Sequence, residues 1–246
     1  MEEINKAILE IRAGAGGDEA ALFAGDLARM YQRFALKQNW RFEVLDASDS
    51  SLKGYKIFIA EISGKNVYNV LKNESGVHRV QRVPATEKAG RIHTSTASVA
   101  ILPLAQTTEF QINPQDLEIS FFRSSGPGGQ NVNKVETAVR IKHFPSGLVV
   151  ASQTGRSQAA NRESAMSILR AKLFEFQQAQ KSAAMGDMRR QQIGSADRSE
   201  KIRTYNFPQD RLTDHRVNKK WSNLDSILEG NMEPIFKFFQ KNEEEK

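Results

Sequence analysis

Residues 117–176 read LEISFFRSSGPGGQNVNKVETAVRIKHFPSGLVVASQTGRSQAANRESAMSILRAKLFEF. Leu117–Phe122 has the apolar–polar alternation of a strand. Thr137–His143 and Gly147–Ser152 are two further strand candidates, β-branched and bounded by turn residues. From about Asn161 the period changes: Ala165, Leu169, Leu173 and Phe176 step by four, four and three, which predicts a long helix with one face packed on that sheet. The glycine-rich loop Arg123–Lys134 joins the first strand to the second. Strands covered by a helix make this stretch an α/β unit.

The polar run Gln106–Asp116 contains Pro114 and marks a domain boundary upstream. Before it, Ala7–Arg12 is a strand candidate, Arg12–Asp18 a glycine-rich turn, and Glu19–Lys37 a helix buried along Phe23, Leu27, Met30/Tyr31 and Phe34. Trp40–Ala47 and Tyr55–Ile62 form one strand pair, joined through the serine-rich run Ser48–Ser51. Val77–Val83 and Ala97–Leu102 form another, and the loop between them, Pro84–Thr94, is polar and cationic. Downstream, Gln177–Arg198 is polar and increasingly basic. Lys201–Phe239 offers one strand-like piece, Ile202–Phe207, and a helix around Leu224, Ile227 and Leu228. The tail Gln240–Lys246 is charged. The expected fold class is α+β: a domain of mixed sheet and helices over 1–104, the α/β domain over 107–195, and a C-terminal segment, 196–246, packing with the first.

The chain has 246 residues, 39% of them hydrophobic and 26% charged, a globular balance. It has no cysteine, which removes disulfide scaffolds, thiolate metal sites and cysteine nucleophiles. Its four histidines, His78, His93, His143 and His215, show no His-x-x-x-His spacing, so no metal site is expected. No apolar run approaches the ~18 residues of a membrane span. Met1–Lys6 lacks the basic and apolar regions of a secretory signal. Charge is uneven. Residues 121–220 hold 18 Lys and Arg against 8 Asp and Glu, while the remainder holds 17 against 21. A block this basic fits a polyanion-binding surface, and equally a solvated face.

The loop Arg123-Ser-Ser-Gly-Pro-Gly-Gly-Gln-Asn-Val-Asn-Lys134 lacks the Gly-x-x-x-x-Gly-Lys pattern of a nucleotide P-loop. Gly126, Gly128 and Gly129 let backbone amides approach a reacting group without side-chain obstruction. Gln130 has no useful pKa, so it is no general base near neutral pH. It can orient water while its backbone N–H stabilises a developing oxyanion. By itself Gly-Gly-Gln is more often a surface turn.

Set in SGPGGQNVNKVETAVRI (125–141), followed by the long helix and basic tract, the loop resembles the peptidyl-tRNA hydrolysing domain of class I bacterial-type peptide chain release factors. EIRAGAGGDEAALFAGDL (10–27), SGVHRVQRVPATEKAGRIHTSTASVAILP (75–103) and RTYNFPQDRLTDHR (203–216) resemble further segments of that family, so the likeness runs over roughly 7–235. Pro84-Ala85-Thr86 stands where the release factor 1 type has Pro-x-Thr, and the type with Ser-Pro-Phe differs there. Full-length members carry an N-terminal helical domain that meets the ribosomal stalk base and a recycling GTPase. The match here begins almost at Met1, so that domain is expected to be lacking.

The resemblance implies a translation termination factor that reads UAA and UAG in the ribosomal A site and triggers hydrolysis of the peptidyl-tRNA ester. It would act only with the ribosome, not as a stand-alone enzyme. Gly16 and Glu19, at a helix start, would contact the first base. Thr86 would contact the first two, with Pro84 and Ala85 shaping the loop. His93 would stack between the second base and the displaced third, which Gln81 and Thr94 would read. Edge hydrogen bonds and stacking on splayed bases are how proteins read single-stranded RNA. Gly128, Gly129 and Gln130 would enter the peptidyl transferase centre, with Gln130 a candidate for side-chain methylation by a glutamine methyltransferase. The implied partners are the two ribosomal subunits, the mRNA stop codon and peptidyl-tRNA. The factor would be a cytoplasmic monomer with no cofactor and no membrane contact. The rival within the family, a codon-independent ribosome-rescue hydrolase, lacks the domain that 7–104 would form. A non-enzymatic RNA-binding module would make no demand on Gln130.

Overall fold

The computed structural model describes residues 4–50, 54–84, 87, 90–104, 112–123, 135–155, 157–194 and 197–244. The chain divides into two compact units, residues 1–106 with 185–246, and residues 107–184.

In the first unit, β1 (Lys6–Ala13) leads through a glycine turn into α1 (Asp18–Lys37). Gly17 takes the N-cap at φ 59°, a left-handed angle that glycine adopts at no steric cost. Asp18 and Glu19 then place negative charge in the first turn, where the helix dipole favours it. Antiparallel strands β2 (Arg41–Asp49) and β3 (Tyr55–Ser63) follow, then a short helix, α2 (Val67–Leu71), and β4 (Gly76–Arg82) with β5 (His93–Pro103). After the second unit come β9 (Lys201–Asn206), β10 (Arg211–Asp214), β11 (Lys219–Ser222), α4 (Leu224–Leu228) and α5 (Glu233–Glu244). Among the described residues the strands form one sheet in the order β11-β10-β9-β4-β5-β1-β3-β2. Pairing is antiparallel except between β4 and β9, which run parallel. The second unit's chain is thus inserted between two strands of the first unit's sheet.

The apolar stripe of α1 (Phe23, Leu27, Met30, Tyr31 and Phe34) is buried with Leu9, Ile11, Val99 and Ile101 of the sheet. A second, ionic layer lies where β9 meets β4. Arg203 is fully buried; its Nε donates to Asp214 at 2.9 Å and its Nη1 to Glu74. The Tyr31 hydroxyl also donates to Glu74, at 3.0 Å. Burial alone would raise the Asp214 carboxyl pKa, and the hydrogen bonds from Arg216 and Arg203 more than reverse that, so it lies below its ordinary value.

The second unit consists of β6 (Leu117–Phe122), β7 (Ala138–His143) and β8 (Val149–Ser152), antiparallel in that order, with α3 (Gln158–Ile193) starting in this unit. Val139, Ile141 and Val150 meet Ala165, Leu169 and Leu173 in its core. Asn161 is buried just inside the helix. Its amide donates to the carbonyls of Thr137 (2.8 Å) and Gly155 (3.1 Å), and its Oδ1 accepts from the Gly155 N–H (2.7 Å). One side chain so satisfies backbone groups that no ladder reaches.

Several expectations need correction. Phe176 is 43% exposed, because the short strands end the core at Leu173 and the helix outruns them. The last turns of α3, from Met185, belong to the first unit and not to the domain expected over 107–195. Arg189 pairs with Glu10 at 2.6 Å, and the Gln192 side chain bonds both the N–H and the C=O of Ile101 at 3.0 Å. Lys201–Phe239 holds three strands and two helices, not one of each, and β5 starts at His93, inside the expected loop.

Candidate functional site

The tip of α1 and the ends of β4 and β5 meet in the first unit, and most of the residues singled out above as base contacts lie there. The glycine turn is stitched to β5 at Thr96: the Gly14 N–H donates to the Thr96 carbonyl (2.8 Å), the Ala15 N–H to Thr96 Oγ1 (2.9 Å), and the Thr96 N–H to the Ala15 carbonyl (2.8 Å). Gly16 lies so close to Ser95 that a Cβ would collide with its side chain, and its φ of 131° is one few other residues adopt. This close approach seats the helix start beside His93 and Thr94.

Gln81 stands opposite Thr94 in the β4–β5 register, and Arg82 opposite His93. Directly opposed residues share a face, and successive ones alternate. Gln81 and Thr94 therefore project together on one side of the sheet, and Arg82 and His93 on the side of α1. Gln81 is held by β9: its backbone carbonyl accepts the Phe207 N–H at 3.0 Å, and its side-chain oxygen accepts from Asn206 Nδ2 at 3.1 Å. Its amide NH2 is left without a partner among the described residues, free to donate. His93 is exposed, with Nε2 2.8 Å from a Glu87 carboxylate oxygen. The Glu87 N–H donates to the Pro84 carbonyl at 3.0 Å.

Arg82, Asp26 and Phe207, none of them singled out as a site residue from the sequence, hold these parts together. Arg82 Nε donates to Glu19 Oε1 at 2.5 Å, its Nη1 to Asp26 at 2.7 Å, and its guanidinium lies 5.1 Å from the Phe207 ring centroid. Burial alone would lower the Arg82 pKa, and the Asp26 and Glu19 carboxylates more than offset it, so the fork stays charged. The other carboxylate oxygen of Glu19 is buried and unpartnered among the described residues, an acceptor waiting at the helix tip. Arg82 directly follows Gln81 in the quoted 75–103 segment, but spacing alone does not reveal that it pairs across to α1.

Ala85, Thr86, Gly128, Gly129 and Gln130 lie outside the described residues. The arrangement that is described offers donors, acceptors and an imidazole on a rigid strand–helix frame. That suits recognition of a polar, planar ligand rather than bond-making by the first unit itself. No helix among the described residues is long and apolar enough to cross a membrane.

Comparisons with known proteins agree on one kinship. A PCRF domain model matches residues 2–99 and an RF-1 domain model residues 106–216. Peptide chain release factor 1 of Caldicellulosiruptor saccharolyticus is 56% identical over 228 residues, 93% of this chain and 64% of that protein. Peptide chain release factor 1 of Thermotoga maritima is 53% identical over 234 residues, 95% of this chain and 68% of that protein. The solved structure of RF2 of Thermus thermophilus superposes with a TM-score of 0.57 at 36% identity, covering 94% of this chain and 66% of that one. The chain thus spans about two thirds of its relatives' length, and slightly less in the first case.

Proposed function

We propose that this chain, which belongs to the peptide chain release factor family, reads UAA and UAG in the ribosomal A site and promotes hydrolysis of the peptidyl-tRNA ester. What supports the reading is the polar cluster at the end of β4 and the start of β5, where Arg82 ties β4 to Glu19 on the α1 side of the sheet beside His93, and Gln81 and Thr94 stand paired on its other side. A rescue hydrolase that ignores codons has no use for such a cluster. In this proposal Gln81 and Thr94 hydrogen-bond the third base, His93 stacks, and Thr86 contacts the first two bases. The domain expected over 107–195 carries Gly128-Gly129-Gln130 to the ester. There the Gln130 backbone N–H stabilises charge on the ester oxygens as water adds to the carbonyl carbon and the bond to the tRNA 3′-oxygen breaks. Gln130 is also the proposed methylation site, and the setting is a cytoplasmic monomer acting on the ribosome.

Single-turnover peptide release on ribosomes programmed with each stop codon tests both halves. Release is expected on UAA and UAG and not on UGA; equal release on UGA would remove the codon assignment. On UAA, Gln130→Ala keeps the N–H and should slow release moderately. Gln130→Pro removes the donor, a loss of about 2.7–4 kcal/mol of transition-state stabilisation, and should nearly abolish it. Equal rates for the two variants would rule out the backbone donor.

A further inference from the structure

Arg79 stands two residues before Gln81 on the same face of β4. It lies opposite Thr96 of β5 and Thr204 of β9, as Gln81 lies opposite Thr94 and Asn206. The two rows are neighbours on one face, about 6.5–7 Å apart along the strands. Arg79 Nε donates to Thr204 Oγ1 at 3.2 Å, and His215 Nε2 lies 2.7 Å from the same oxygen. Thr204 is buried, and Arg79 and His215 are partly so. Burial lowers the Arg79 pKa and no carboxylate opposes it. At Arg82 and Arg203 the same burial is outweighed by carboxylates, and the pKa rises. His215 is depressed below 6.5 by burial first and then by the charges of Lys201 and Arg79. Only Asp214 acts on it the other way, and that carboxylate is already held by Arg203 and Arg216. Glu200, next to Lys201 in the chain, bears on the pKa of neither Arg79 nor His215.

With its pKa depressed, His215 is a neutral imidazole. Thr204 Oγ1 accepts from Arg79, so its own hydrogen goes to His215 Nε2, and Nδ1 carries the remaining ring hydrogen. What the cluster then presents is donors only: the two Nη groups of Arg79 and the Nδ1–H of His215, with the Lys201 charge close enough to act on the ring. Among the described residues neither Arg79, Lys201 nor His215 pairs with a carboxylate. A solvated arginine needs no such mounting. Here a buried hydroxyl, itself bonded to His215, restrains the guanidinium, and a restrained fork loses less freedom on meeting an oxyanion. Guanidinium groups bind phosphate through two parallel hydrogen bonds. RNA brings phosphates wherever its bases are read, and Gln81 and Thr94 occupy the adjoining row.

We propose that Arg79, oriented by Thr204 and His215, binds a phosphodiester of the RNA that surrounds the third codon base; that RNA lies on this face rests on the function proposed above. The test is the salt dependence of binding, with Kd for stop-programmed ribosomes measured across KCl concentrations. Arg79→Gln should weaken binding on the order of tenfold. It should also flatten the plot of log K against log salt by about 0.7–0.9, the share of one phosphate. Arg41→Gln, an equal loss of charge on the outer strand β2, should change neither. Unaltered affinity in Arg79→Gln overturns the proposal, as does weaker binding without a flatter slope, or an equal defect in Arg41→Gln. Thr204→Val keeps every charge and removes the hydroxyl that restrains the fork. It should bind several-fold more weakly at an unchanged slope, and it judges the site even where Arg79→Gln does not fold; undiminished binding in Thr204→Val overturns the proposal. A methylphosphonate, which is uncharged, placed in the messenger just 3′ of the stop codon separates the two sources of phosphate. If it erases the difference between Arg79→Gln and the unsubstituted chain, the phosphate is the messenger's; a difference that persists assigns it to ribosomal RNA. Equal release on UGA would end the codon reading, while the Arg79 slope still judged the phosphate site.

Discussion

His78 is fully buried, and its two ring nitrogens face different partners. Nε2 lies 2.9 Å from the Glu74 carbonyl, which can only accept, so Nε2 carries the hydrogen; Nδ1, 3.2 Å from the Tyr205 hydroxyl, then accepts. Burial first, and the Arg203 guanidinium second, push the imidazole pKa from 6.5 down to about 3. A depressed folded pKa means that the unfolded chain takes up the proton first. The stabilisation is present above pH 6.5 and is lost as the pH falls towards 3. Urea unfolding should therefore show a loss of about 1.5 kcal/mol between pH 6.5 and about pH 5 from this group. His78→Gln should flatten that portion of the profile; an identical slope in the variant would refute the assignment. At this scale Gln81, His93 and Thr94 were singled out through the family resemblance and not by their residue types, and their proposed roles await test. The sequence was silent on Arg82, Thr96 and Arg203, whose roles come from partners tens to more than a hundred residues away.

The long helix α3 illustrates what periodicity can and cannot deliver. The spacing of Ala165, Leu169 and Leu173 identified a buried face, but the same pattern extended it to Phe176, past the end of the sheet that provides the burial. Leu169→Ala should cost about 2–5 kcal/mol, the usual penalty for a truncated buried leucine. Phe176→Ser should stay within about 0.5 kcal/mol. Chemical denaturation followed through the second unit's signal checks both, and a large loss for Phe176→Ser would mean that the exposed ring has a partner. Elements with a long apolar stripe, such as α1, were legible nearly to the residue. β10 and β11 were not, because each spans four residues, too few for a period to emerge. β11 is also lysine-rich, and only its pairing to β10 makes it a strand.

Each unit has its own core, one built on α1 and the long sheet, the other on α3 and three short strands. Calorimetry should accordingly resolve two transitions. Arg203→Met leaves the buried Glu74 carboxylate without its cation, while Asp214 keeps Arg216, a change of about 3–5 kcal/mol for a broken buried pair, and should lower one transition alone. Leu169→Ala should lower the other, and a single transition moved by both variants would contradict the division. The division at Gln106–Thr107 falls at the start of the polar run Gln106–Asp116; the return of the chain at Met185 was not visible, because a helix runs through it without a break in pattern. The parallel pairing of β4 with β9 also has a temporal side. β4 ends at Arg82 and β9 begins at Lys201, so at roughly 5–20 residues per second the second strand is made about 6–24 s after the first. The inserted unit is synthesised within that interval and can fold while its host is incomplete. Throughout it, one edge of β4 lacks its neighbour and Glu74 lacks Arg203. A nascent chain in that state offers an open strand edge to its surroundings, and its dependence on chaperones should end when Arg203 arrives.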